Sequence, residues 1–504
     1  MTNSLRTKEA TFGAPMNEHA FDESVGERSS LEIMTSRERP RGPRTAWIAW
    51  LVIISTIAFL ILPRNSSRHE ETDDASLVMQ ELQAKYLLGA RSLGLIPIES
   101  LRDQVVAAFS SGTLRQQLIG PVLIGEVTGA KEGLKALDEL RDRDATMIER
   151  ASESDQQLIR LLEKLLVARS ENEDLKVDWP EDERREIETV LPERLGWSGQ
   201  LALLPPESPD VEGRTQLLGQ ARRTFVALLC VFGTGIAAVV IGSVLLLTWW
   251  GFVLAGRLSR GIGSLRGEQA IYAETFAVWL VMYVALSFAI SNLHLENLGM
   301  TTILIPMIGG LGALAWPVMR GTRWRDVRTD LGLYWDTPAW TPPLVGVGSY
   351  LAALPLLGCA MVMTLVLMKV SNQFAPPGDS AATPIHPIVE PILRGNWTMR
   401  MQLMFVAVFA AVPEEIMFRG VLYRHLRDSG SRPGSSRRMI FAMLFSSFIF
   451  AAIHPQGLFG IPILMTIAMV LATVREWRGS LVPCMITHGM VNAVTTLVLF
   501  LMAD

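Results

Sequence analysis

The sequence predicts an all-α, polytopic membrane protein with about nine transmembrane helices and an extra-membrane helical insertion domain. Three observations carry this expectation. Long apolar runs recur along a 504-residue chain that is 49% hydrophobic and only 19% charged, with a mean hydropathy of +0.28. One charged block separates the first run from the others. Within that block apolar residues recur at i, i+3, i+4 and i+7, the helical period, and strand-type alternation is nearly absent.

Residues 1–45 are polar and aperiodic and carry Arg37, Arg39, Arg41 and Arg44 near their end, as a disordered cytoplasmic tail does. Residues 46–62 form the first apolar run, with Trp47 and Trp50 at its headgroup end. The run starts far from the N-terminus, is long for a signal-peptide core and precedes no small-x-small cleavage site. It therefore reads as an uncleaved signal anchor. Residues 64–222 are soluble in character, and acidic side chains outnumber basic ones. Segments 75–93, 132–148 and 156–168 are amphipathic; Leu158, Leu161, Leu162, Leu165 and Leu166 share one face. This block is expected to be an extracytoplasmic helical domain. It is either a spacer or dimerising coil, or a module that binds a protein partner or selects substrate. Pro205, Pro206 and Pro209 mark a linker.

Eight further runs follow, at 225–254, 271–290, 300–318, 344–369, 399–424, 438–454, 461–474 and 481–502. The run at 461–474 is the shortest. Those in 225–340 read as accessory helices, and 344–502 as the functional core. The basic loops agree with this map. Arg257, Arg260 and Arg266, then Arg320, Arg323, Arg325 and Arg328, then Arg424, Arg427, Arg432, Arg437 and Arg438, then Arg475 and Arg478 all fall on the side of the N-terminal tail. The alternate loops are poor in Lys and Arg. The positive-inside rule then puts the N-terminus in the cytoplasm and residues 64–222 outside.

A net charge of -4 argues against a nucleic-acid partner. Cys230, Cys359 and Cys484 lie in apolar runs and read as small hydrophobes, not as a disulfide framework or thiolate metal site. There is no H-E-x-x-H, no phosphate-binding Walker loop and no G-x-S-x-G elbow.

The chemistry concentrates in Val412-Pro413-Glu414-Glu415-Ile416-Met417-Phe418-Arg419-Gly420, which follows an apolar run whose only charge is Arg400. A charge near the bilayer centre costs about 2.5–3.5 kcal/mol, so such groups persist only if paired or functional. Glu415 and Arg419, at i and i+4, share a helix face and can pair. Glu414 is turned about 100° away and faces something else. Pro413 lacks an N–H, which predicts a kink or loosened turn ahead of the glutamates. Two later runs supply partners: Phe450-Ala451-Ala452-Ile453-His454, and His488-Gly489-Met490-Val491-Asn492. At about 1.5 Å per residue, Glu414 lies about 15 Å from the inner end of its span, near the depth of Asn492. A buried carboxylate and a histidine can deprotonate a water. A histidine and a carboxamide one turn apart can donate to a developing oxyanion, each donor contributing about 2.7–4 kcal/mol. The expected chemistry is hydrolysis of an amide bond.

Glu-Glu-x-x-x-Arg, Phe-x-x-x-His and His-x-x-x-Asn, in this order on successive membrane helices, resemble the CPBP family of CAAX-protease and bacteriocin-processing intramembrane endopeptidases. The resemblance covers residues 344–502. It implies that Glu414 and His454 activate water, that His488 and Asn492 form the oxyanion site, and that Glu415, Arg419 and Phe450 support them. The substrate would be a membrane-anchored peptide or protein. The lipid bilayer is the second partner, and a prenylated substrate is not implied.

No cofactor is expected, and zinc stays open: a zinc-dependent version would take His454, His488 and a glutamate as ligands. A catalytically silent scaffold or immunity-type protein of the same fold is a further alternative. A proton-relay transporter would show two internally similar halves, which are not evident. The arginine-rich tail before a signal anchor, with no organelle signal, points to a bacterial inner membrane.

Overall fold

The computed structural model of the chain describes residues 45–61, 68–171, 179–206, 208, 210–258, 260–263, 265, 269–293, 302–374, 388–429 and 433–503. The tail expected at 1–45 lies outside them as far as Arg44, as do Arg266 and Arg432. Among the described residues every element is helical and no strand occurs. Residues 45–504 form one compact unit.

α1 (Thr45–Ile61) packs on α11 (Gln269–Asn292). A helical head follows: α2 (Arg68–Ser92), α3 (Ile98–Phe109), α4 (Leu114–Gln117), α5 (Ile119–Thr128), α6 (Ala130–Arg143), α7 (Ala145–Glu149), α8 (Glu153–Ser170) and α9 (Glu181–Leu203). The amphipathic stripe of α8 faces inward as its period requires. Leu158, Leu161, Leu162, Leu165 and Leu166 are all buried in the core of the head. Ser152 caps this helix by accepting from the Asp155 N–H.

α10 (Val211–Leu254) is one helix of 44 residues. The last linker proline in the sequence directly precedes Asp210, which caps α10 well before the apolar run that starts at 225. Leu217 and Ala221, on its first turns, belong to the core of the head. Gly89 of α2 lies so close to the Ala221 carbonyl that a Cβ there would overlap it, and the tilted rings of Tyr86 and Phe225 meet with centroids 5.3 Å apart. The head is thus clamped to the same helix that continues into the apolar region. Further along, Gly242 lets α10 approach the backbone of α15 (Thr341–Phe374) at Leu351.

The rest of the chain comprises α12 (Leu304–Gly310), a 3-10 turn (Leu311–Leu314), α13 (Ala315–Met319), α14 (Trp324–Leu331), α16 (Val389–Arg394) and α17 (Trp397–Glu415). A π-helix (Ile416–Leu422), α18 (Tyr423–Asp428), α19 (Ser436–Ala452), α20 (Gly457–Arg478) and α21 (Val482–Ala503) complete it. α17 packs along α21, α19 along α20, and α15 against both α20 and α21.

Among the described residues, six helices are long and apolar enough to cross a membrane: Val211–Leu254, Ala270–Asn292, Thr341–Phe374, Trp397–Asp428, Gly457–Arg478 and Val482–Leu501. Three of the nine expected spans fall short of this. Thr45–Ile61 and Ser436–Ala452 have 17 residues each. Seventeen residues rise about 26 Å, less than the roughly 30 Å hydrocarbon core. Leu304–Met319 is interrupted by its 3-10 turn. Conversely, the run read as weakest, 461–474, belongs to a 22-residue helix that ends where Gly479 turns left-handed at φ 73°.

Truncating Leu162, which is 0% exposed, to alanine is expected to cost about 2–5 kcal/mol and to lower the unfolding midpoint of the purified protein. Arg141 holds Glu163 through two parallel hydrogen bonds, of 2.8 and 2.5 Å, and keeps its carboxyl below the usual glutamate range. Stability from this pair is present above the unfolded glutamate value and is lost as pH falls through the folded one. The melting difference between the wild type and Glu163→Gln should therefore shrink between about pH 6 and about pH 3.

Candidate active site

α17 starts where Asn396 caps it, its side chain accepting from the Met399 N–H at 2.9 Å. It runs through Pro413 and delivers Glu414 and Glu415 at its last turn. The loosened turn expected ahead of the glutamates lies behind them, as the seven-residue π-helix 416–422. All seven residues are buried. Phe418, at the centre of this stretch, meets Phe276, Trp279 and Phe450 edge-on, with centroids 5.4, 5.8 and 5.1 Å away. The widened turn coincides with this aromatic packing and not with the missing donor of Pro413. π-Bulges of this kind recur at functional sites.

Glu415 Oε1 accepts two hydrogen bonds at 2.8 Å, one from Arg419 Nη1 and one from His488 Nδ1. Glu415 is 0% exposed, Arg419 2% and His488 5%. A carboxylate already paired with a guanidinium is an acceptor, so His488 carries its proton on Nδ1. Its Nε2 then presents a lone pair, which points at Glu414 Oε2 across 3.6 Å. Two acceptors at that separation do not bond directly; a water beside the pair can donate to both.

Phe450 is buried and forms one wall. The Arg419 guanidinium lies 4.4 Å from its ring centroid, and His488 meets it edge-on at 5.9 Å. The His454 ring lies 4.3 Å from it. His454 Nδ1 donates to the Phe450 carbonyl at 2.5 Å, which leaves its Nε2 as the acceptor nitrogen in the neutral ring. Asn492 Nδ2 donates to the Ala407 carbonyl at 2.7 Å. One of its two N–H bonds therefore fastens α21 to α17, and one remains. Glu414, Glu415, Arg419, Phe450, His454 and His488 thus form one connected cluster, and Asn492 sits one turn from it. Among the described residues no three His, Cys, Asp or Glu side chains gather closely enough to hold a metal ion.

Sequence reading missed two supporting features. Tyr272, Phe276, Trp279 and Tyr283 recur at helical spacing along α11, and Phe276 and Trp279 brace the π-helix. That stripe was legible. A buried ionic network also lies just beyond the π-helix. Glu476 Oε2 accepts from Tyr423 at 2.9 Å and from Arg427 Nε at 2.7 Å, while Arg424 Nε pairs with Asp428 at 3.0 Å. Arg424 and Arg427, read from sequence as loop charges, are 2% and 4% exposed.

Residues 396–494 match one family model, described as type II CAAX prenyl endopeptidase Rce1-like. Over this segment the chain is similar to the Rce1-like type II CAAX prenyl endopeptidases. The Rce1-like segment begins at the N-cap of α17 and includes Glu414, Glu415, Arg419, Phe450, His454, His488 and Asn492, in agreement with the CPBP resemblance of the three motifs. No curated protein and no solved structure matches the chain. With this segment and six helices long enough to cross a bilayer, the chain is an integral membrane protein.

Arg419→Ala leaves the Glu415 charge buried without its guanidinium and should destabilise the protein by about 3–5 kcal/mol. Replacing the pair together, as Glu415→Leu with Arg419→Met, should restore part of that loss, since no orphan charge remains. Thermal unfolding of both variants in one detergent reads the difference.

Proposed function

We propose that the protein is an intramembrane endopeptidase that hydrolyses peptide bonds of membrane-associated substrates with an activated water. The observation that carries this reading is the 3.6 Å gap between Glu414 Oε2 and His488 Nε2. Beside that gap the two acceptors can hold one water by both of its protons. Glu414 takes a proton as the water oxygen attacks the scissile carbonyl carbon. Passed on to His488 Nε2, that proton makes the ring an imidazolium, whose charge Glu415 balances at Nδ1. His488 then donates to the tetrahedral oxyanion, together with the remaining N–H of Asn492. When the carbon–nitrogen bond breaks, the proton leaves with the amine. The motif resemblance gives His454, whose ring lies 4.3 Å from that of Phe450, a share in activating this water.

The substrate class rests on membrane depth and on the matched family, whose description names CAAX prenyl endopeptidases. Prenylated C-terminal peptides are thus one set to test and unprenylated membrane-anchored peptides another. On the distribution of arginines we further place the N-terminus in the cytoplasm of a bacterial inner membrane, the head outside, and about nine crossings in all.

Purified protein in vesicles, offered both peptide sets, should cleave one of them. Glu414→Gln and His488→Ala should each lower the rate about 10²–10⁴-fold, and His454→Ala should lower it as well. Full activity of Glu414→Gln overturns the hydrolytic reading and leaves a silent scaffold. Activity lost with a chelator and restored by zinc replaces it with a metallo-mechanism.

A further inference from the structure

The helices that carry the site do not end independently of the head. α16 is a six-residue helix joined to α17 through Gly395 and Asn396 alone. Its apolar side chains pack in two directions. Ile392, 0% exposed, shares one buried cluster with Leu403 of α17 and Phe500 of α21. Leu393 and Val389 share another with Leu82 of α2 in the head. Arg400 Nη2 of α17 adds a hydrogen bond to the Leu393 carbonyl at 3.3 Å. Leu82 lies two helical turns before Gly89, where α2 is clamped to α10.

Leu403 is about 16 Å along α17 from Glu414, and Phe500 about 12 Å along α21 from Asn492. α17 and α21 are the two helices whose spacing sets the gap between Glu414 and His488. Whatever holds their ends together also holds that gap.

We propose that α16 is a positioning wedge: through Ile392 it sets how far α17 and α21 stand apart, and through Leu393 it ties that spacing to α2 of the head. The proposal rests on the peptidase reading for its consequence in catalysis, and on geometry alone for its consequence in helix spacing. A misplacement of about 1 Å can cost on the order of a hundredfold in rate, so a wedge of this size is enough to matter. The head then acts on the site from a distance. A protein bound to it that moves α2 changes turnover without touching substrate.

The test joins two readouts. Spin labels at Met401 and Leu497, exposed positions on α17 and α21, report the helix separation in a Cys230→Ser, Cys359→Ser background that removes the exposed thiols. Ile392→Ala is expected to shift or broaden that distance and to lower kcat roughly ten- to a hundredfold at unchanged KM. Ile392→Leu, which keeps the volume, should restore both. Leu82→Ala and Leu393→Ala should reproduce the alanine effect more weakly. An unchanged distance with full kcat in Ile392→Ala overturns the wedge. An effect confined to Ile392, absent from Leu82→Ala and Leu393→Ala, overturns the link to the head. A shifted distance in a protein that cleaves no peptide even as wild type supports the wedge and overturns the peptidase reading instead.

Discussion

One carboxylate oxygen holds the site together. Glu415 Oε1 accepts from Arg419 on its own helix and from His488 on a helix 73 residues away. In an apolar environment none of these groups is tolerable alone, because an isolated buried charge is far costlier than a paired one. Their mutual need brings α17 and α21 together and selects one rotation of each. It also decides the tautomer of His488 and so what its other nitrogen offers Glu414. Glu414 is left as the carboxylate with no guanidinium of its own, its side chain 17% exposed.

The surrounding protein keeps this arrangement from relaxing. Phe418 and Phe450 wall the pair on one side, and the Arg419 guanidinium lies over Phe450 rather than in water. The π-helix accommodates Phe418 among the rings of α11. Just beyond it, Glu476 ties Tyr423 and Arg427 to α20. Around the π-helix, buried charges thus form one layer at the site and another beyond it, around Glu476 and Asp428. A single guanidinium removed from either layer leaves a neighbour unmatched.

Much of this was legible in residue spacing. The i, i+4 relation of Glu415 to Arg419 predicted their pairing, and the stripe of α8 predicted its buried face. Residues set by long-range packing were less legible. The π-helix depends on rings from α11 that no local pattern near Phe418 reveals. Pro413 drew attention to the wrong side of the glutamates because a missing N–H is a local signal and ring packing is not. Arg424 and Arg427 have the sequence signature of an exposed basic loop, and their burial is explained by Asp428 and the distant Asp330 for Arg424 and by the distant Glu476 for Arg427. α16 was read as loop, since six residues containing Pro391 show no period. α10 starts ahead of the apolar run at 225 because its first turns, with Leu217 and Ala221, pack on the head, which a search for apolar runs does not register.

α10 has a further consequence. Its uncharged stretch from Phe225 to Leu254 measures about 45 Å at the helical rise, whereas the hydrocarbon core is about 30 Å thick. Such a helix is accommodated by leaning or by carrying its ends into the headgroup region, and less of either is needed as the bilayer thickens. Because Gly89 and Tyr86 clamp the head to the same unbroken helix, the head must turn with it. Where the mismatch is taken up by leaning, lipid chain length and the angle of the head are linked through this one helix.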